Sequence, residues 1–169
     1  AYEVTKDLKE GIIHAVEALA NEALHYKKVE LKEEFDESDD TFEAEIKDDC
    51  LSIVYRLLFV FYAESRADLD ILPISDSVYQ KGYSLEMLRD LEQTKLVTDH
   101  SLNGYFFHDS LKQLFRLMSS SSKSVRKENN FHEVDGTLNK SFRIRHIDSP
   151  MFDDNKLHHL SNVKFRNYV

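Results

Sequence analysis

The sequence predicts a mainly α protein, about four to six helices packed around one central helix at about residues 43–66, with at most a short β element near 142–146. Three observations carry that expectation. From Cys50 to Ala63 only Ser52 and Arg56 are polar, so a helix there is apolar around nearly its whole circumference rather than along one stripe. Elsewhere apolar residues recur at spacings of three and four, the helical period. The 169 residues include only four Gly and two Pro, too few for a sandwich or barrel built on tight turns.

The central stretch is too short to span a bilayer. Fourteen residues rise about 21 Å as a helix, against the roughly 20 apolar residues that a span needs. A buried core helix is expected instead, ending at Tyr62-Ala63-Glu64-Ser65-Arg66. Its start is expected near Thr41, as a side-chain cap. Upstream, Val4, Leu8, Ile12, Val16, Leu19 and Ala23 mark an amphipathic helix from Tyr2 to about Tyr26, with His14 and His25 at its surface. Between the two, residues 29–41 are acidic and poor in apolar side chains, which predicts an exposed loop.

Pro73 ends any helical pattern after the central stretch, so residues 67–81 are expected to be irregular. Ser84 is placed to cap a helix from Leu85 to about Thr98. A fourth helix is expected over Ser101–Ser119, firm from Asp109 onwards. Asn103-Gly104 leaves open a hairpin at its start. The chain thus divides into a helical core at 1–122, a basic polar segment at 123–149 and a tail at 150–169. The tail reads as the start of a connection to a further domain, as if the chain were cut from a longer one. In the basic segment Phe142-Arg143-Ile144-Arg145 alternates as a short strand does, with both arginines on one side.

Charge is unevenly spread. The formal net charge is −9. Residues 1–70 carry 19 acids and 8 bases, whereas residues 123–145 carry six bases and three acids. A strongly acidic surface repels a phosphate backbone, so any nucleic-acid contact belongs to the second half. Lys123, Arg126, Lys127, Arg143 and Arg145 are the candidate DNA phosphate contacts, with a solvated face as the plain alternative.

The familiar motifs of catalysis are missing. The glycines are too far apart for a phosphate cradle, no pair of histidines or cysteines has zinc-ligand spacing, and no Gly-x-Ser-x-Gly elbow occurs. Glu45-x-Lys47 matches the tail of a Mg²⁺-nuclease pattern, but that pattern needs adjacent strands and the context here is helical. Cys50 sits inside the apolar run as a small hydrophobe. From its residues alone the segment has no catalytic, cofactor-binding or metal-binding candidates.

The residues Leu51-x-x-Val54-Tyr55-Arg56-Leu57-Leu58-Phe59, then Phe61-Tyr62-Ala63-Glu64-Ser65-Arg66 and Leu72-Pro73, carry a resemblance. They are similar to the signature ahead of the catalytic domain in bacterial N6-adenine DNA methyltransferases of restriction-modification and phage-exclusion systems, including single-chain type II enzymes that also carry an endonuclease. Tyr83-Ser84-Leu85 and Met151-Phe152-Asp153 resemble the family's later segments. The Asn-Pro-Pro-Tyr loop that grips the flipped adenine has no counterpart here, so no catalytic role carries onto any residue. The resemblance implies a non-catalytic helical connector or scaffold upstream of a methyltransferase domain in the same chain. DNA would be the partner of the full-length protein in the cytoplasm. S-adenosylmethionine, with Mg²⁺ as a further candidate, would be its cofactor. Tyr55, Arg56, Tyr62, Glu64 and Arg66 are then a structural signature, with Arg66 at the negative helix end and Glu64 paired to an arginine such as Arg89. The alternative is an acidic helical protein-interaction module with no link to DNA.

Overall fold

The computed structural model describes residues 2–36, 38–119 and 150–169, and these are mainly helical, with no strand among them. The helices are α1 (Tyr2–Val29), α2 (Asp40–Ser65), α3 (Ser77–Gly82), α4 (Leu85–Glu92), α5 (Asp99–Asn103) and α6 (Phe106–Met118). Single 3₁₀ turns occur at Ala67–Leu69, Pro150–Phe152 and Asp154–Lys156. The strand expected at 142–146 lies outside the described residues. The chain divides into two compact units, one of residues 1–57, 96–108 and 154–169, the other of residues 58–95 and 109–153.

The first unit is built on α1 and the first half of α2. Ala23, Ile46, Cys50, Leu160 and Val163 form its buried cluster, flanked by Val16, Leu19, Tyr26, Phe42, Ile53, Leu157 and Phe165. The tail is therefore part of this core, although it is irregular apart from its 3₁₀ turn. Asp39, rather than the expected Thr41, caps α2: its Oδ1 accepts the N–H groups of Thr41 at 2.9 Å and Phe42 at 3.3 Å. An ionised carboxylate at this position also favours the positive helix end. The acidic loop between α1 and α2 is pinned as well as exposed. Phe35 stacks on Phe42 with ring centroids 5.1 Å apart, and Lys28 lies over the Phe35 ring at 5.8 Å.

Asn103-Gly104 does not turn a hairpin. It separates α5 from α6, and α5 begins with a capping box between Thr98 and Ser101. Gly104 sits at a close approach: a Cβ there would lie 3.0 Å from Asn167 Nδ2 and 3.2 Å from the His100 carbonyl, so a side chain fits only where these neighbours give by a few tenths of an ångström.

The second unit holds the last turns of α2 together with α3, α4 and most of α6. Val60, Ala63, Leu72, Tyr79, Leu85, Leu88, Leu114, Phe115, Met118 and Phe152 are buried. The Phe152 ring lies 5.7 Å from those of both Phe59 and Phe115. Asp76 caps α3 through Val78 and Tyr79, and Ser84 caps α4 through Met87 at 3.1 Å, as its sequence position predicts. However, α4 ends at Glu92, short of the expected Thr98. Past Leu91 the run Glu92-Gln93-Thr94-Lys95 offers no apolar side chain to pack, so nothing holds a further turn.

The central helix differs from expectation in one respect. It is apolar on all sides yet not buried on all sides: Val54, Val60 and Ala63 face inward, while Tyr55, Leu58, Phe61 and Tyr62 are exposed. Its length fits its expected role; its outer face is open.

Candidate functional site

The signature residues are positioned by α2 and by the turns after it. Arg56 is buried at 2% exposure and donates from Nη1 to Asp154 Oδ1 at 2.6 Å, both within the first unit. A guanidinium in such a place needs an anionic acceptor, because an uncompensated buried charge is severely unfavourable. Tyr55, also in the first unit, is half exposed.

In the second unit, Glu64 does not pair with Arg89 as the sequence predicts. Its Oε1 accepts from Tyr79 Oη at 2.7 Å and from the Leu85 N–H at 2.7 Å, and its Oε2 accepts from the Glu86 N–H at 3.3 Å. Glu64 thus joins Ser84 in satisfying the free N–H groups that begin α4. The positive helix end supplies the countercharge that an arginine was expected to give. Arg89 instead lies 3.7 Å from Glu86. Arg66 leaves the helix end for a two-toothed contact with Asp68, at 2.8 and 2.6 Å, and reaches Tyr62 Oη at 3.1 Å. Tyr62 itself is half exposed.

Beside α3 and α4 lies an open cleft of about 690 Å³, bordered by Glu64, Ile74, Gln80, Met87 and Asp90 among others. Glu64 on its wall is already committed to three donors. Gln80 Nε2 is likewise bonded, to the Ile74 carbonyl at 2.5 Å.

The first unit contains polar centres that sequence reasoning missed. Asp49, 1% exposed, accepts three consecutive backbone N–H groups of the tail: His158 at 2.9 Å, His159 at 2.6 Å and Leu160 at 3.0 Å. Glu22, 3% exposed, receives Arg166 Nε at 2.6 Å, Arg166 Nη2 at 2.9 Å and Tyr168 Oη at 2.9 Å. Burial pushes the Glu22 carboxyl up, but the hydrogen bonds and charge of Arg166, with Tyr168, outweigh it and leave the group below its ordinary value. Asn167 bridges α5 and α6, donating to the Ser101 carbonyl at 2.9 Å and accepting the Phe107 N–H at 3.2 Å. A signal for two of these existed. Asp49 and Glu22 interrupt apolar faces, at i+3 from Ile46 and from Leu19, where an acid must find donors or not be buried.

Glu45 and Lys47 do not converge. Glu45 hydrogen-bonds the His159 ring, and Lys47 pairs with Glu43 one turn away. Among the described residues no group of three or more His, Cys, Asp or Glu side chains is arranged to hold a metal ion. Nor, among them, is any helix long and apolar enough to cross a membrane. Lys123, Arg126, Lys127, Arg143 and Arg145 all lie outside the described residues. Comparisons with models of known families, with curated proteins and with solved structures find no match for this chain.

Proposed function

We propose that this chain is a non-catalytic helical connector or scaffold domain of a bacterial DNA adenine-N6 methyltransferase of the restriction-modification type. It positions the catalytic and DNA-recognition parts of a longer cytoplasmic protein. The observation that supports this reading is the use made of the signature's charged residues. Arg56 joins Asp154, Glu64 begins α4, and Arg66 closes onto Asp68. Side chains committed in this way stabilise a shape and do not converge on a reacting atom. S-adenosylmethionine, with Mg²⁺ where cleavage accompanies methylation, belongs to the parent and not to this segment. Lys123, Arg126, Lys127, Arg143 and Arg145 are the proposed phosphate contacts.

The test is S-adenosylmethionine-dependent adenine methylation, measured on the full-length gene product and on residues 1–169 alone. Activity in the first and none in the second is expected. Activity in the isolated segment, or none in either, overturns the reading. Replacing Arg143 and Arg145 with Ala in the full-length protein should weaken DNA binding and flatten its salt dependence by about one unit of slope for each phosphate no longer neutralised.

One observation favours the alternative, an acidic protein-interaction module. Val4, Leu8 and Ile13 of α1 are 70%, 53% and 44% exposed, an apolar edge on a helix whose residues 3–11 are all exposed. A full-length gene product without methylation activity selects it.

A further inference from the structure

We infer that Asp49 is the positioning residue of this connector: it fixes the tail against α2, so that the domain beyond the tail is held at a set orientation instead of swinging on a tether. The existence of that domain rests on the connector reading, whereas the clamp itself rests on geometry alone.

The tail has little secondary structure of its own, one 3₁₀ turn in residues 154–169. Chain of that kind is ordered only when outside groups take up its backbone. Three elements do so here, at successive levels. On α2, Asp49 takes the three N–H groups from His158 to Leu160. On α1, Glu22 takes the Arg166 backbone N–H at 3.4 Å and its side chain through two nitrogens. At the α5–α6 break, the Asn167 N–H donates to the Gly104 carbonyl at 2.8 Å, and the Tyr168 N–H to the Leu102 carbonyl at 3.3 Å. Leu160 and Val163 are sealed between these levels.

Asp49 is singled out among these because its role admits no substitute. Three successive N–H groups pointing at one place form an anion-binding concavity, and a buried carboxylate with two acceptor oxygens fits it. Asn brings an NH₂ in place of one oxygen, and turns a donor toward donors. A junction held at that point transmits orientation, whereas a flexible linker of the same length only sets an effective concentration.

The experiment uses the full-length gene product with pairs of spin labels, in a Cys50→Ala background because the free Cys50 thiol would take a label once the tail loosens. One pair joins His14→Cys on α1 to Ser161→Cys on the tail, both exposed positions. A second pair joins His14→Cys to a surface cysteine introduced in the downstream domain. Narrow distance distributions are expected for both pairs in the otherwise unchanged protein. Asp49→Asn should broaden both at unchanged helical circular dichroism, and lower the kcat of methylation about tenfold to a hundredfold with the KM for S-adenosylmethionine unchanged. Arg166→Lys, which keeps a cation on the buried Glu22 but gives up the two-nitrogen contact, serves where Asp49→Asn does not fold, and should broaden both pairs to a smaller extent. A tail distance that stays narrow in both variants overturns the clamp. A tail distance that broadens while the second pair does not overturns the transmission of orientation. Absence of methylation in the unmodified protein sinks the methyltransferase reading, and the tail pair still decides the clamp.

Discussion

Arg56 and Asp154 form an ion pair at 2.6 Å between positions 98 residues apart, with the guanidinium 2% exposed and the carboxylate side chain 35% exposed. The two halves of this pair are not equivalent. Asp154→Ala removes an anionic acceptor from a buried cation, whereas Arg56→Met removes the cation and leaves Asp154 partly in water. The first is expected to cost about 3 kcal/mol and the second about 1 kcal/mol, because breaking a buried pair costs more than replacing its buried member with an apolar group of similar size. Urea unfolding of both variants measures this; equal losses would refute it.

Glu64 and Tyr79 give a second prediction. Glu64→Ala removes the acceptor of two α4 N–H groups and one phenol, and should cost about 1–2 kcal/mol by thermal unfolding. The Tyr79 phenol is pushed well above the ordinary tyrosine value, first by burial and then by its bond to Glu64. The folded state therefore keeps its proton where the unfolded state releases it. That contribution to stability is complete below about pH 10 and is lost as pH rises above it. Tyr105 and Tyr168 are raised as well, both first by burial. Tyr79→Phe should remove its share and make the alkaline slope of unfolding free energy less steep.

At the acid end the sign reverses. The Glu22 carboxyl lies below its ordinary value because Arg166 and Tyr168 outweigh the opposing effect of burial. A depressed carboxyl stabilises the fold above about pH 4.5 and loses that contribution as pH falls through the folded value. Glu22→Gln should flatten the acid limb of the stability profile while costing about 1–3 kcal/mol at pH 7. Urea midpoints at pH 3, 5 and 7 check both parts. A variant that keeps the full acid limb would show that other carboxylates carry it.

Much of the fold was legible because local pattern and packing agree. The α1 periodicity, the Ser84 cap and the apolar run at Cys50–Ala63 each specify a helix through side chains close in sequence. Signals failed where the deciding partner is distant. The α4 N-terminus lies 21 residues from the acid that caps it, so Glu64 read as the partner of an arginine. That the tail packs into the core was not legible, because its donors are backbone N–H groups, which carry no side-chain pattern, and their acceptor Asp49 lies 109 to 111 residues away. An apolar run interrupted only at Ser52 and Arg56 says little of which side stays open, so the exposure of Tyr55, Leu58, Phe61 and Tyr62 could not be read from it.

Cys50 reports on the tail from inside the core. Its thiol is pushed up to about 12, first by burial and then by the neighbouring Asp49 charge. The thiolate is the reactive form, and this one is both scarce at neutral pH and covered by a cluster that includes Leu160 and Val163. Native protein should therefore react with a thiol reagent only through opening, at a rate that rises sharply in urea. Asp49→Asn removes the negative charge and loosens the tail together, so it should speed labelling of Cys50 at pH 7 at least about tenfold. Tyr62→Ser, on the exposed side of the same helix, should leave the rate unchanged. Stopped-flow labelling distinguishes the two, and fast labelling of the unmodified native protein would contradict a core closed by the tail.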